Sequence, residues 1–192
     1  MARPKSADKR SAILQAAIEV IADQGDSAPT AKIAKGAGVA EGTLFTYFGN
    51  KDELLSGLYL ELKAELNSVM MKSFPREANV KVRLHHAWDK YVDWGTANPL
   101  KRKAMALLTV SERVNPAAKA EGAKAFVEVA ATIDESIAQG ALRDLPPDFV
   151  SALLGSMAET TMSFMSASKS KAEAGTYREA GFEAFWKAMA WE

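Results

Sequence analysis

The chain has 192 residues with 24 basic and 24 acidic side chains, so its net charge is zero and bulk electrostatics cannot hold it on a polyanion. It contains no cysteine, which excludes disulfides and thiolate metal centres. Hydrophobic residues make up 48%, enough for a packed core, and no apolar run approaches the roughly 18 residues of a membrane span. The polar start, Met-Ala-Arg-Pro-Lys-Ser, lacks an apolar export segment, so a cytoplasmic location is expected.

Apolar residues recur at helical spacing along the chain and no alternating β-branched run appears, so an all-α fold of about nine helices is predicted. The first helix covers about residues 6–23, with Ile13, Leu14, Ala17, Ile18 and Ile21 on one stripe and Gly25 ending it. A short second helix covers about 31–37, capped by Thr30. Gly36 to Gly38 form a turn, and a third helix covers about 41–47 before Gly49-Asn50 breaks it. A long fourth helix starts near Lys51, capped by Asn50, with Asp52 and Glu53 in its positive first turn. Its stripe runs Leu54, Leu55, Leu58, Leu62, Leu66, Val69 and Met70, and it ends by Pro75. Asn98-Pro99, Asn115-Pro116, Gly140 and Leu145-Pro146-Pro147 then punctuate helices of about 80–97 and 100–113, a longer one reaching Gln139, and two of about 148–168 and 175–190.

Two very short helices joined by a glycine turn and followed by a capped long helix have the layout of a helix-turn-helix, whose second helix enters the DNA major groove. Val39, Leu44 and Phe48 are placed to anchor the third helix, with Ile33 and Ala34 facing them. Gly38 accepts the positive φ of a tight turn, and Gly42 leaves the helix start bare for close approach. The outward positions are then Ala40, Glu41, Gly42, Thr43, Phe45, Thr46 and Tyr47. Thr43 and Tyr47 offer hydroxyls to phosphate, Thr46 faces base edges, and Phe45 suits a sugar or a thymine methyl. Lys51 supplies a cation beside the same backbone, and Thr30 a further phosphate contact. Residues 1–51 hold seven Lys/Arg and five Asp/Glu against 17 and 19 in the remainder, so phosphate must be held by a few placed groups.

This region resembles the DNA-binding domain of the TetR family of transcriptional regulators. The matching pieces are Ile33-Ala34, Ala37-Gly38-Val39, Gly42-Thr43-Leu44-Phe45, Tyr47-Phe48 and Lys51-Asp52-Glu53-Leu54-Leu55, within about 45 residues (10–55). The resemblance implies an all-helical homodimer with an N-terminal helix-turn-helix domain (1–52) and a C-terminal effector-binding and dimerisation domain (53–192). It also implies repression of a palindromic operator, relieved by a small molecule. One position departs from the pattern: many members carry Lys, Arg or a neutral residue where this chain has Glu41. An acid there repels phosphate but can accept a hydrogen bond from cytosine N4, so Glu41 is expected to contribute to sequence choice.

All four tryptophans and seven of the eight methionines lie beyond residue 51. Soft methionines and aromatics between bundled helices suit a pocket for an apolar or aromatic effector. The candidate lining is Trp88, Tyr91, Met105, Leu108, Phe126, Met157 and Thr161, with ordinary core packing as the competing reading of each. The last two helices are apolar on two sides, which predicts a second partner beyond the chain's own core. A symmetric mate using Phe149, Leu153, Phe164, Phe182, Phe185, Trp186 and Met189 is expected. Reading half-sites about 34–36 Å apart also requires two recognition helices. His85 and His86 are adjacent and diverge by about 100° on a helix, so no metal site is assigned to them, and no cofactor is expected. Glu159 fits either the pocket or the rim of the interface.

Two other classes compete. A helix-bundle enzyme lacks support, because no serine–histidine–acid spacing, phosphate loop or paired Glu-x-x-His ligand set is present. An effector-independent DNA-binding adaptor differs from a ligand-responsive regulator only in lacking a pocket.

Overall fold

A computed structural model describes residues 7–191. Among them are ten helices: α1 (Ala7–Gln24), α2 (Thr30–Gly36), α3 (Glu41–Tyr47), α4 (Lys51–Met71), α5 (Val80–Ala97), α6 (Pro99–Val110), α7 (Pro116–Lys124), α8 (Val127–Ala138), α9 (Pro147–Ala167) and α10 (Lys171–Met189). The all-α expectation holds. Ser6, where the first helix was expected to begin, lies outside the described residues.

The helices form two compact units that do not follow chain order. The first takes the described residues up to Glu65 together with Asn98–Ala125, and so recruits α6 and α7 from beyond α5. There α1 packs against both α2 and α6. The predicted α1 stripe is buried, and Ile33, Leu44, Leu54, Leu55, Leu58 and Leu62 close the same core. Asn115 caps α7 by accepting from Ala118 N at 2.7 Å, and its side-chain amide donates to the buried Ser56 hydroxyl at 3.2 Å. Gly122 on α7 lies so close to Tyr59 that a Cβ would sit 2.5 Å from the ring.

The second unit comprises Leu66–Ala97 and the described residues from Phe126 onward. Here α9 lies along α10, and α5 packs against α8, α9 and α10. Leu84, Trp88, Val92, Ile133, Val150, Met162, Phe182 and Phe185 fill the interior. At Gly181 the helices approach closely: a Cβ would lie 2.3 Å from Thr161 Oγ1 and 2.8 Å from Trp88 Cζ2.

Several expectations are corrected. The single helix expected to reach Gln139 is two, α7 and α8, interrupted at Ala125–Phe126. Neither residue is a helix breaker; α7 is held by its Tyr59 contact in one unit and α8 by burial of Thr132 and Ile133 in the other. The last helix begins at Lys171 rather than near residue 175, because Ser170 caps it. Ser170 accepts from Glu173 N at 3.2 Å while Glu173 accepts from Lys169 N at 2.8 Å, a capping-box pattern legible in the sequence. Of the residues expected at a dimer interface, Phe182, Phe185 and Met189 are buried in this protomer's own core and have no surface to offer a mate. Trp186, half-buried, stacks on Phe182 with centroids 6.2 Å apart.

Candidate nucleic-acid interface

The α2–α3 turn is closed by backbone bonds that only a left-handed residue allows. Gly38 has φ +66°, its N–H donates to Lys35 O at 3.1 Å, and Val39 N–H reaches back to Ala34 O at 3.0 Å. That pair is the Schellman arrangement, and it satisfies two carbonyls at the end of α2. A seven-residue helix does not persist alone in water. Leu44, fully buried, and Phe48, nearly so, hold α3 in place. The Arg10 guanidinium lies over the Phe48 ring at 5.6 Å and also pairs with Glu61 at 2.8 Å.

The opposite face of α3 is open. Ala40, Glu41, Gly42, Phe45 and Thr46 are exposed, while Thr43 and Tyr47 are half-buried. Phe45 is 39% exposed, so it faces outward rather than into the core. No atom lies within 4 Å of where a Gly42 Cβ would stand, so the start of the helix is bare. Thr46 Oγ1 donates to Gly42 O at 3.1 Å, which leaves its oxygen as an acceptor.

Thr30 departs from its expected role. Pro29 occupies the cap position of α2 and makes no side-chain cap bond. Thr30 is the first helical residue, and its hydroxyl donates to Glu41 Oε1 at 2.5 Å. The start of α2 thus holds the carboxylate at the start of α3.

At the head of α4, Asn50 Oδ1 accepts from Glu53 N at 2.9 Å, and Glu53 accepts from Gly49 N at 3.0 Å. A Cβ at Gly49 would stand 2.9 Å from the Glu53 carboxylate, so a larger residue there would push that carboxylate aside and disturb the clamp. This clamp sets Lys51 beside the end of α3. Burial, together with the positive charge of Arg113, lowers the Lys51 pKa below the ordinary lysine value, against the opposing pull of Asp26 and Asp52. Arg113 itself pairs with Asp52 at 2.8 Å, and Asp26 accepts a short hydrogen bond from Ser111. The segment after α6 therefore brings a second cation to the head of α4. Residue-by-residue reading overlooked Arg113 because nothing local links it to Lys51.

The candidate effector residues divide between the units. Met105 and Leu108 are buried on α6 in the first unit. Trp88, Tyr91, Phe126, Met157 and Thr161 belong to the second. Trp88 and Thr161 are buried against Gly181, and the Trp88 indole N–H donates to Arg178 O at 3.1 Å, so both serve the packing of α5, α9 and α10. Glu159 accepts from the Tyr91 hydroxyl at 2.6 Å, which turns its carboxylate toward α5.

Residues 13–58 match the family model for bacterial regulatory proteins of the tetR family. A TetR-family transcription regulator from Shewanella sp. PV-4 is 28% identical and superposes over 96% of this chain and 99% of its own, with a TM-score of 0.85. Residues 13–58 therefore resemble the DNA-binding domain of that family, and the chain as a whole shares the fold of its Shewanella neighbour. The fatty acid metabolism regulator protein of Bacillus subtilis is 40% identical over 73 residues, which are 38% of this chain and 38% of that one. The aligned part thus spans well under half of that curated relative. The FadR regulator of Bacillus subtilis, solved with stearoyl-CoA, shares the fold at 23% identity and a TM-score of 0.71, over 91% of this chain and 96% of its own. The homologues are DNA-binding regulators rather than enzymes, and the helix-bundle enzyme reading falls away. Among the described residues, no helix is long and apolar enough to cross a membrane.

Proposed function

We propose that this chain is a cytoplasmic homodimeric repressor of the TetR family that binds a palindromic operator and releases it on binding a small apolar effector. The observation that carries the reading is the exposed face of α3, glycine-bare at its start and anchored behind by Leu44 and Phe48. In this reading α3 enters the major groove, with Glu41, Phe45 and Thr46 toward the bases. Thr43, Tyr47 and Lys51 grip phosphate on either side. Arg113 adds a cation to that grip.

Dimerisation is assigned to the outer face of α9. Phe149 and Phe164 are 51% and 57% exposed, and Leu153 and Thr160 lie between them at helical spacing. An apolar stripe of this kind in water calls for a partner. Ala184 and Ala188 are exposed on α10 and let a second copy approach closely.

The effector domain is assigned to residues 53–192, with α4 contributing to both compact units and so suited to carry the signal. A ligand that favours one separation of the recognition helices shifts the population by its differential affinity for the two states. The stearoyl-CoA found in the Bacillus subtilis relative makes long-chain acyl-CoA thioesters the first compounds to try.

The test combines footprinting on the DNA flanking the gene with light scattering. Two protected half-sites about 34–36 Å apart, or a multiple of that, are expected. A dimer is expected for the unmodified chain and a monomer for Phe164→Glu. A monomeric unmodified protein, or protection of a single half-site, would overturn the dimer assignment.

A further inference from the structure

We infer that His85, Asp89 and Glu179 form a binding site for a divalent transition-metal ion that ties α5 to α10. The sequence draws attention to His85-His86, yet on the helix these two diverge. His86 turns to the Met70 carbonyl, 3.1 Å away, and lies edge-on to Phe74. His85 turns the other way, and its ring lies over Phe182 at 4.4 Å between centroids, which fixes its orientation.

Four residues on, Asp89 shares the His85 face, the spacing at which one helix supplies two ligands to one ion. Glu179 comes from α10. His85 Nε2 lies 3.4 Å from Glu179 Oε2 and 3.9 Å from Asp89 Oδ1, and one ligand atom from each residue falls within 4.8 Å of the other two. Tetrahedral zinc with bonds of about 2.0–2.2 Å needs ligand atoms about 3.3 Å apart. The first separation already meets that requirement. The Asp89–Glu179 separation closes by a small rotation of Glu179, which is 63% exposed, and the 3.9 Å between His85 and Asp89 by one of Asp89, which is 33% exposed.

Two further observations point to an ion. His85 Nε2 and Asp89 Oδ1 are both shielded from solvent and make no hydrogen bond. Shielded polar atoms of that kind cost free energy unless something satisfies them. The charges also leave room for a cation. Asp89 is faced by Asp93 and Glu179 as well as by Arg178 and His85. Three carboxylates against one guanidinium leave two negative charges when the imidazole is neutral, and Arg178 is already paired with Asp93. Nearby, Glu183 is paired with Lys81 at 3.0 Å. One imidazole and two carboxylates suit zinc or its neighbours better than magnesium or calcium, with water in the remaining position.

The experiment is calorimetric titration of the full-length chain with Zn²⁺ near neutral pH, together with the visible absorption of a Co²⁺-loaded sample. Uptake of one ion per chain is expected. Affinity should fall roughly tenfold or more in both His85→Gln and Glu179→Gln. His86→Gln should bind as the unmodified chain does, and the Co²⁺ band should be lost with His85→Gln. Helical circular dichroism checks that each variant folds; Glu179 is exposed, so its variant decides the matter if His85→Gln does not fold. No saturable uptake, or equal uptake by the unmodified chain and Glu179→Gln, would overturn the inference. So would loss of binding in His86→Gln.

Discussion

Thr30→Val removes a hydroxyl without changing side-chain shape, and so isolates the bond from Thr30 to Glu41. At 2.5 Å with a carboxylate acceptor, that bond is charge-assisted. Buried bonds to charged groups contribute about 1.5–3 kcal/mol, but Glu41 is exposed and water competes, so about 0.5–1 kcal/mol of stability is the appropriate scale. The larger effect is expected on DNA. If Glu41 accepts from a cytosine N4, that contact discriminates by about 1–3 kcal/mol, roughly 5- to 150-fold. Thr30 holds one of the two carboxylate oxygens and leaves the other to the base. Thr30→Val should then erode discrimination at a single operator position while changing affinity for unrelated DNA little. The assay is fluorescence anisotropy on operators with each base pair replaced in turn, run for Thr30→Val, Glu41→Ala and the double variant. Coupling requires the Thr30→Val effect to vanish once Glu41 is alanine. Equal Thr30→Val effects in the two backgrounds, or base preferences untouched by Glu41→Ala, would refute the reasoning.

Three further outcomes are expected. Lys51→Ala should weaken binding to all DNA sequences alike and reduce the salt dependence of log K by about 0.9–1, whereas a changed base preference would contradict a phosphate contact. Because burial depresses the Lys51 pKa, its positive charge is lost at a pH below the ordinary lysine value of 10.5. DNA affinity of the unmodified chain should therefore decline on alkaline titration earlier than that of Lys51→Arg. Over the same window the unfolded chain holds the proton more tightly, so this residue's contribution to stability rises with pH; the two opposite trends are read by anisotropy and by denaturant titration. Gly181→Ala gains about 1 kcal/mol of helix propensity but forces Thr161 or Trp88 to shift, at about 1–3 kcal/mol. The net result in calorimetry should be a melting temperature lowered by a few degrees, and a raised one would refute the close packing at this position.

The helix-turn-helix was readable because its signals are local. Gly38 before Val39, Asn50 three residues before Glu53, and the Leu44–Phe48 spacing each act within one or two turns of chain, and all three behave as their residue types dictate. Ser170 and Glu173 carried an equally local signal for the start of α10. The α7–α8 break carried none, because no glycine or proline marks it. Assigning the second face of α10 failed for a different reason. Periodicity shows that Phe182, Phe185 and Met189 must be buried, but not whether their own chain or a second copy buries them.

That distinction separates the two sources of information. Hydrophobic period, caps and turn residues in the sequence alone determined ten helices to within one miscounted break, the helix-turn-helix, and five of the seven residues expected on the outer face of α3, with Thr43 and Tyr47 half-buried instead. These depend on neighbours a few residues apart. Only the tertiary structure decided that Thr30 holds Glu41, that Arg113 stands beside Lys51, and that His85 meets Glu179 across two helices. Such pairings depend on which helices come to lie side by side. A one-dimensional pattern records how much surface each helix must bury, but leaves open against which partner.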